Sequence, residues 1–345
     1  MPNDGVLLRR GPEEEREMAL RAMTRLNGQA FSRLTLAFAD FFKQSFGEDR
    51  SPRCGRRICH PIDGLAMVLH YLCHGATAMT SAFAFGLPPA TRSKYLGFGL
   101  RCLSCALKAL PDAAVRWPSK EYMGELAGMV TQRDQRLQGP FAALDGSLFA
   151  IPRSGNQIEQ RAYYTGHKCL HCVRSVFIFG ADGAILACAC NFPGSYHDSL
   201  CAEMGEIYSL IEQGIPAGYC VLADTGFRQR RHLLLTTNKI KELGKPPEVV
   251  LALRAASKIV SKTRILVEWS LGGLKSKFHV LHQKLPGDPE RRQLIFDCCI
   301  PLWNYIVRTV GNCEVATVFG GDGELTEVQH DRGQRYRIRS SITAE

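Results

Sequence analysis

Three acidic residues stand in settings that could support metal chemistry. Asp145 closes the short apolar run Phe141-Ala-Ala-Leu144 before a glycine, and Asp224 closes Val221-Leu-Ala223 before Thr225-Gly226. Glu268 sits near the start of Val267-Glu-Trp-Ser-Leu-Gly-Gly-Leu-Lys275. An apolar run that ends on an acid and then turns reads as a buried strand delivering a carboxylate to the lip of a sheet. Any one such Asp beside Gly is also an ordinary turn residue. Carboxylate oxygens suit hard cations such as Mg²⁺ or Mn²⁺. Two such ions roughly 3.5–4 Å apart can activate an attacking oxygen and stabilise a leaving one in phosphoryl transfer. The chain offers no comparable Ser-His-Asp or Cys-His set, no phosphate-binding loop of the GxxxxGK type and no dinucleotide-binding glycines.

Acids of this kind need a folded sheet behind them. The 345 residues are 45% hydrophobic and 22% charged, enough for a sizeable core in one large domain or two ordinary ones. No apolar run reaches the roughly eighteen residues of a membrane span. Met1-Pro-Asn-Asp-Gly5 lacks the basic and apolar regions of a secretory signal. An intracellular protein with no membrane partner is expected. The 14 cysteines then read as reduced thiols, with Cys188, Cys190, Cys220, Cys298 and Cys299 inside apolar stretches as small hydrophobes. Cys54, Cys59 and His60 could be offered as zinc ligands. Neither Cys54 nor Cys59 belongs to a CxxC pair of the kind seen at Cys102-Leu-Ser-Cys105, however, so a basic loop and core thiols are the better reading. The net charge of +10 points to a polyanionic partner.

Along the chain, residues 1–50 carry the acidic run Glu13–Glu17 and an apolar pattern through Phe31, Leu34, Phe38 and Phe42, read as one long or broken helix. A helix is expected from Pro61, with Leu65, Val68, Leu69 and Leu72 on one face. Over about 77–108, two helices flank the break at Leu87-Pro88-Pro89 in a helix-turn-helix-like arrangement, whose reading residues would be Thr91, Arg92, Ser93 and Lys94. An ordinary helical hairpin has the same pattern. From Phe141 the texture changes. A short strand ends at Asp145-Gly146, and Cys172–Phe179 alternates into the hairpin turn Gly180-Ala-Asp-Gly183. The return strand Ala184–Cys190 leads through a loop to Asp198, then to an amphipathic helix and the strand ending at Ala223. A helix from about Ala252 through Glu268 and a buried last helix, Leu294–Val310, complete the pattern. A mixed sheet with helices packed on it is implied.

At this point the chain resembles the PIF/Harbinger-type DDE transposases and their domesticated relatives, the Harbinger-derived nucleases. The blocks that carry the resemblance are Ala143-Leu-Asp-Gly146, Ala162-Tyr-Tyr-Thr-Gly-His167, Phe192-Pro-Gly-Ser-Tyr-His-Asp-Ser199, Leu222-Ala-Asp-Thr-Gly-Phe227 and Val267-Glu-Trp-Ser-Leu-Gly-Gly-Leu-Lys-Ser-Lys-Phe278, with Cys298-Cys299 and Asn304 in the closing helix. Together they cover roughly residues 60–310. The resemblance implies an α/β fold: an RNase H-like mixed sheet with flanking helices over 138–312, after an all-α, helix-turn-helix-like region over 1–137 and before a polar tail over 313–345.

The resemblance also implies that Asp145, Asp224 and Glu268 form a DDE catalytic triad that binds a divalent cation, Mg²⁺ or Mn²⁺. Asp198 falls on a further acid of the family; it is either a fourth ligand or the N-cap of the helix it opens. DNA is the implied partner, with Arg92, Lys94, Arg228, Arg230, Arg231, Lys275 and Lys277 as its contacts. A separate Myb-like accessory protein and a nuclear location are implied as well, and a homo-oligomer is compatible with them. The chain departs from the family in carrying Glu268-Trp-Ser-Leu-Gly-Gly273 where many relatives have Glu-Arg-x-x-Gly, and in lacking an Asn-Arg segment before the glutamate. A metal-dependent DNA endonuclease or transposase is the leading reading. The alternative is a domesticated, catalytically silent DNA-binding or scaffold protein.

Overall fold

The structure, a computed structural model, describes residues 13–48, 59–236 and 243–311. The expected tail over 313–345 and most of the proline-marked link at 51–60 lie outside the described residues. The chain forms two units. One contains the helices up to Ala114 together with Leu274–Gly311, and the other is built from Val115–Gly273. The helical unit ends at Ala114 and not at the expected 137, because the helix over 120–133 packs on the sheet, and the closing helix groups with the N-terminal helices.

The first unit is all helical: α1 (Glu13–Thr24), α2 (Gly28–Glu48), α3 (Pro61–His74), α4 (Ala78–Phe85) and α5 (Pro89–Ala109), with the C-terminal helix Pro289–Val310. The N-terminal pattern is thus a broken helix, interrupted near Arg25, which adopts a positive φ of 64°. Local chemistry sets the ends of α3. The His60 side chain accepts from the Ile62 N–H, Pro61 takes the first turn where its missing N–H costs nothing, and Gly75 closes the helix in the left-handed region. The C-terminal helix is the spine of the unit, burying Phe296, Cys298, Cys299, Trp303 and Tyr305. Its polar groups are tied as well: the Tyr305 hydroxyl donates to Ala30 O at 2.8 Å, and the Asn304 amide donates to Ala114 O at 3.2 Å.

The second unit contains α6 (Lys120–Arg133), β1 (Pro140–Ala150), α7 (Gln157–Tyr163), β2 (Tyr164–Thr165), β3 (Leu170–Gly180), β4 (Ile185–Pro193), α8 (Asp198–Met204), α9 (Ile207–Gly214), β5 (Cys220–Ala223), β6 (Leu233–Leu235), α10 (Pro247–Thr263) and the start of α11 (Ile265–Lys277). β3 lies between β1 and β4, antiparallel to both, with the short β2 pairing its first residues. On the other side of β1, β5 and then β6 run parallel. The result is a mixed sheet with helices, as expected. β1 is nearly solvent-free over Phe141–Leu144, and β3 is buried on both faces from Ser175 onward, which explains their near-continuous apolar runs.

α7, β2 and β6 have no counterpart in the expected pattern, and three expected elements differ in extent. β1 does not end at Asp145-Gly146 but continues to Ala150, because β3 pairs with it along that whole length. The helix after Asp198 is broken at Glu206, in the left-handed region, into α8 and α9. The helix expected to run unbroken through Glu268 is divided at Arg264, which ends α10 before α11 begins.

Candidate active site

The register of the sheet brings the first two acids together. In the parallel pair β1–β5, Leu144 lies opposite Ala223, so Asp145 and Asp224 are the next residues on neighbouring strands. Beyond that point β1 keeps β3 on one side, whereas β5 has ended. Asp145 therefore lies at an opened edge, its side chain a quarter exposed, and Asp224 is half exposed. This is the lip of the sheet in physical terms: backbone pairing stops on one flank and side chains take over.

Each carboxylate is held locally. Asp145 Oδ1 accepts from the Gly146 N–H at 2.8 Å. Asp224 Oδ1 accepts from the Thr225 N–H at 2.7 Å and from the buried Thr236 hydroxyl, just beyond β6, at 3.1 Å. Arg264 faces both acids, with Nη2 3.2 Å from Asp145 Oδ2 and Nη1 3.7 Å from Asp224 Oδ1. Asp198, the first residue of α8, is not the helix cap; His197 holds that position, without a side-chain bond. Its Oδ1 accepts instead from Arg174 on β3 at 2.8 Å. The Asp198 carboxylate also lies so close over Gly146 that a Cβ there would overlap it, which is why the residue after Asp145 has no side chain.

Burial pushes the Asp145 carboxyl up to about 6, and the nearby charges of Asp198 and Asp224 push the same way. The Arg264 charge and the Gly146 N–H act in the opposite direction without offsetting them. Asp145 is thus repelled by two nearby carboxylates in a partly buried setting whose cations are Arg264 and Arg174, and a hard divalent cation would relieve the same repulsion. In that respect the residues fit such an ion. Even so, among the described residues no three His, Cys, Asp or Glu side chains are close enough to hold a metal ion together. Glu268, half-buried in the first turn of α11, is not gathered with the aspartates into such a group.

The expected DNA contacts fall into different surroundings. Arg92 points inward: it is buried, its Nη2 donates to Ala76 O and Ser81 Oγ, both at 3.2 Å, and its guanidinium lies over the Tyr71 ring. Its place in the first turn of α5 is that of a packing residue, while Lys94 two positions on is exposed. Arg228 and Arg230 pair with Glu203 at 3.6 and 2.8 Å, and Arg230 lies over the Tyr208 ring. The Tyr208 hydroxyl accepts the Arg228 N–H at 3.0 Å, fixing the loop that follows Asp224. Arg231 is exposed, and Lys275 and Lys277 are half-buried on the last turns of α11.

Cys298 and Cys299 are buried as expected, whereas Cys188, Cys190 and Cys220 are only half-buried and Cys105 and Cys169 are exposed. Burial pushes Cys59 up to about 12 and Cys102 to about 11, well away from the thiolate a metal would need. Sequence reading missed Arg264, Arg174 and Thr236. For Arg174 a signal existed, since a cation inside an otherwise apolar strand calls for a carboxylate partner.

Residues 144–304 match the family model of the DDE superfamily endonucleases. The match begins one residue before Asp145 and spans Asp198, Asp224, Arg264 and Glu268, a little under half of the 345 residues. A nuclease or transposase class of activity is what that match suggests. No curated protein and no solved structure matches the chain. No helix among the described residues is long and apolar enough to cross a membrane.

Proposed function

We propose that the sheet-containing unit is the catalytic part of a metal-dependent DNA endonuclease or transposase with an RNase H-like, Harbinger-type core. The observation that carries this reading is the pairing of Leu144 with Ala223, which delivers Asp145 and Asp224 side by side at the edge where β5 ends. Asp145 and Asp224 would hold a divalent cation, Mg²⁺ or Mn²⁺, with Asp198 as a further oxygen donor and Glu268 joining from α11. Such ions, when bound, supply charge for the attacking and leaving oxygens of phosphoryl transfer.

The residues themselves position the reaction. Thr225 and Thr236 fix one Asp224 oxygen, and the Gly146 N–H fixes one Asp145 oxygen. Cleavage is hydrolysis: a water oxygen bonds to phosphorus, the bond to the 3′-oxygen breaks, and a 3′-hydroxyl is left for attack on target DNA. Burial pushes the Asp145 carboxyl up to about 6, and a cation beside it would favour its ionised form. Lys94, Arg231, Lys275 and Lys277, with Arg228 and Arg230 once released from Glu203, are the phosphate contacts in this reading. DNA is the substrate, a Myb-like protein the accessory partner, and the nucleus the location. The alternative is a catalytically silent DNA-binding or scaffold protein; it is favoured by the guanidinium of Arg264 lying against both acids.

Supercoiled plasmid with Mg²⁺ or Mn²⁺ separates the two. Nicking that requires the ion and vanishes in Asp224→Ala supports the enzyme. Cleavage that persists in Asp224→Ala, or that neither protein gives, overturns it.

A further inference from the structure

Arg264 stands where the chemistry of the acid pair calls for a cation. The residue is 9% exposed, and one guanidinium reaches across the ends of two strands to Asp145 and Asp224. Its contacts of 3.2 and 3.7 Å are longer than the roughly 2.7–2.9 Å of a tight charge-assisted pair. Nε is buried and has no hydrogen-bond partner among the described residues. The guanidinium therefore offsets the charge of the pair without being locked to it.

The backbone at this point is fixed by two helical hydrogen bonds, whereas the guanidinium holds Asp145 through a hydrogen bond of 3.2 Å. The Arg264 N–H donates to Val260 O at 2.8 Å, and its carbonyl accepts from the Val267 N–H at 3.0 Å, so the residue belongs to both helical ladders. Rotation about side-chain bonds alone would withdraw the guanidinium from the acids. Arg264 also lies four residues before Glu268, one helical turn from the third acid.

We propose that Arg264 is a placeholder cation: it holds Asp145 and Asp224 together as a preformed pair in the metal-free protein and is displaced when a divalent cation enters. The inference rests on the metal site proposed above. Without Arg264 the pair would face uncompensated repulsion in a partly desolvated setting. With a divalent cation in place, the guanidinium would be a like charge at close range. Metal and Arg264 therefore compete for the same oxygens, and each weakens the hold of the other.

Calorimetric titration with Mn²⁺, paired with thermal melting with and without the ion, tests this on the full chain. Arg264→Gln is expected to melt lower than wild type without Mn²⁺ and to bind Mn²⁺ roughly 5- to 100-fold more tightly, the range of an ordinary coupling between two ligands. Arg264→Lys keeps a charge that cannot span both acids and falls between the two. Wild type that binds Mn²⁺ while Arg264→Gln binds it equally or more weakly overturns the placeholder and leaves the metal site standing. If Arg264→Gln does not fold, Arg264→Lys decides by the same criterion. Failure of all three proteins to bind Mn²⁺ overturns the metal site and the placeholder with it. Binding by Arg264→Gln alone supports the placeholder in its strongest form.

Discussion

Two buried arginines, one in each unit, show what separates a structural cation from an exchangeable one. Arg92 in the helical unit is answered by a carbonyl, a hydroxyl and a tyrosine ring, all neutral and all part of the local packing. Arg264 in the sheet unit is answered by two carboxylates at an open sheet edge. Both leave Nε without a partner among the described residues, so the difference lies in the groups opposite. Neutral partners have no use for another cation. Two partly exposed carboxylates that repel each other do, and a metal ion can take the place of the arginine.

The largest expected effect tests the first half of that contrast. Arg92→Ala leaves Ser81 and the Ala76 carbonyl short of a donor and empties space beside Tyr71, so it should destabilise the helical unit by about 3 kcal/mol. Urea unfolding would measure this, and Mn²⁺ should restore none of it. Stability equal to wild type would break the contrast from the Arg92 side.

Gly146→Ala probes the other half. Its Cβ would displace the Asp198 carboxylate from its seat beside Arg174. Mn²⁺ affinity or metal-dependent nicking should fall about 10- to 100-fold, as when groups supporting a metal ligand are removed. An unchanged affinity would remove Asp198 from the site.

A third effect is graded with pH. Asp145 is raised from 3.8 to about 6, so the folded protein releases this proton later than the unfolded chain. Its contribution to metal-free stability therefore falls as pH rises from about 4 to about 6 and is level above that. Cation binding needs the ionised acid, so Mn²⁺ affinity should drop about tenfold per unit below pH 6. Titrations at several pH values check this, and a flat profile contradicts it. The smallest effect is at Glu203→Gln, which releases Arg228 and leaves Arg230 only the more distant Glu212, 3.8 Å away. DNA affinity should rise only about twofold, and less in high salt, because exposed pairs are weak. Fluorescence anisotropy with labelled duplex would detect the change.

Much of the sheet was legible because its strands are nearly continuous apolar runs, and the hairpin announced itself through Gly180 and Gly183. What the sequence did not show is register. Nothing in Phe141–Gly146 or Val221–Phe227 says that Leu144 meets Ala223, since parallel strands are joined through distant crossovers. Asp145-Gly146 looked like a strand end, yet β3 carries β1 on to Ala150. Arg264 was hidden for a related reason. The helical period continues across Thr263-Arg264-Ile265 with no proline or glycine to mark the break, so the arginine looked like one residue on a helix face. β6 was missed although Leu233-Leu-Leu235 is an apolar triplet, because the adjoining arginines drew the reading toward a surface cluster. Arg92 shows the reverse error: a basic residue in a first helical turn looked available to DNA, and its burial depends on packing against Tyr71 and Ser81 that no local pattern encodes.

The most direct test of the paired-acid site is a crystal structure of the full chain in Mn²⁺, read by anomalous scattering. The result predicted is a Mn²⁺ peak in contact with oxygens of both Asp145 and Asp224, with the Arg264 guanidinium withdrawn from between them. Crystals that give no peak there at saturating Mn²⁺, with Arg264 still facing both carboxylates, would contradict it.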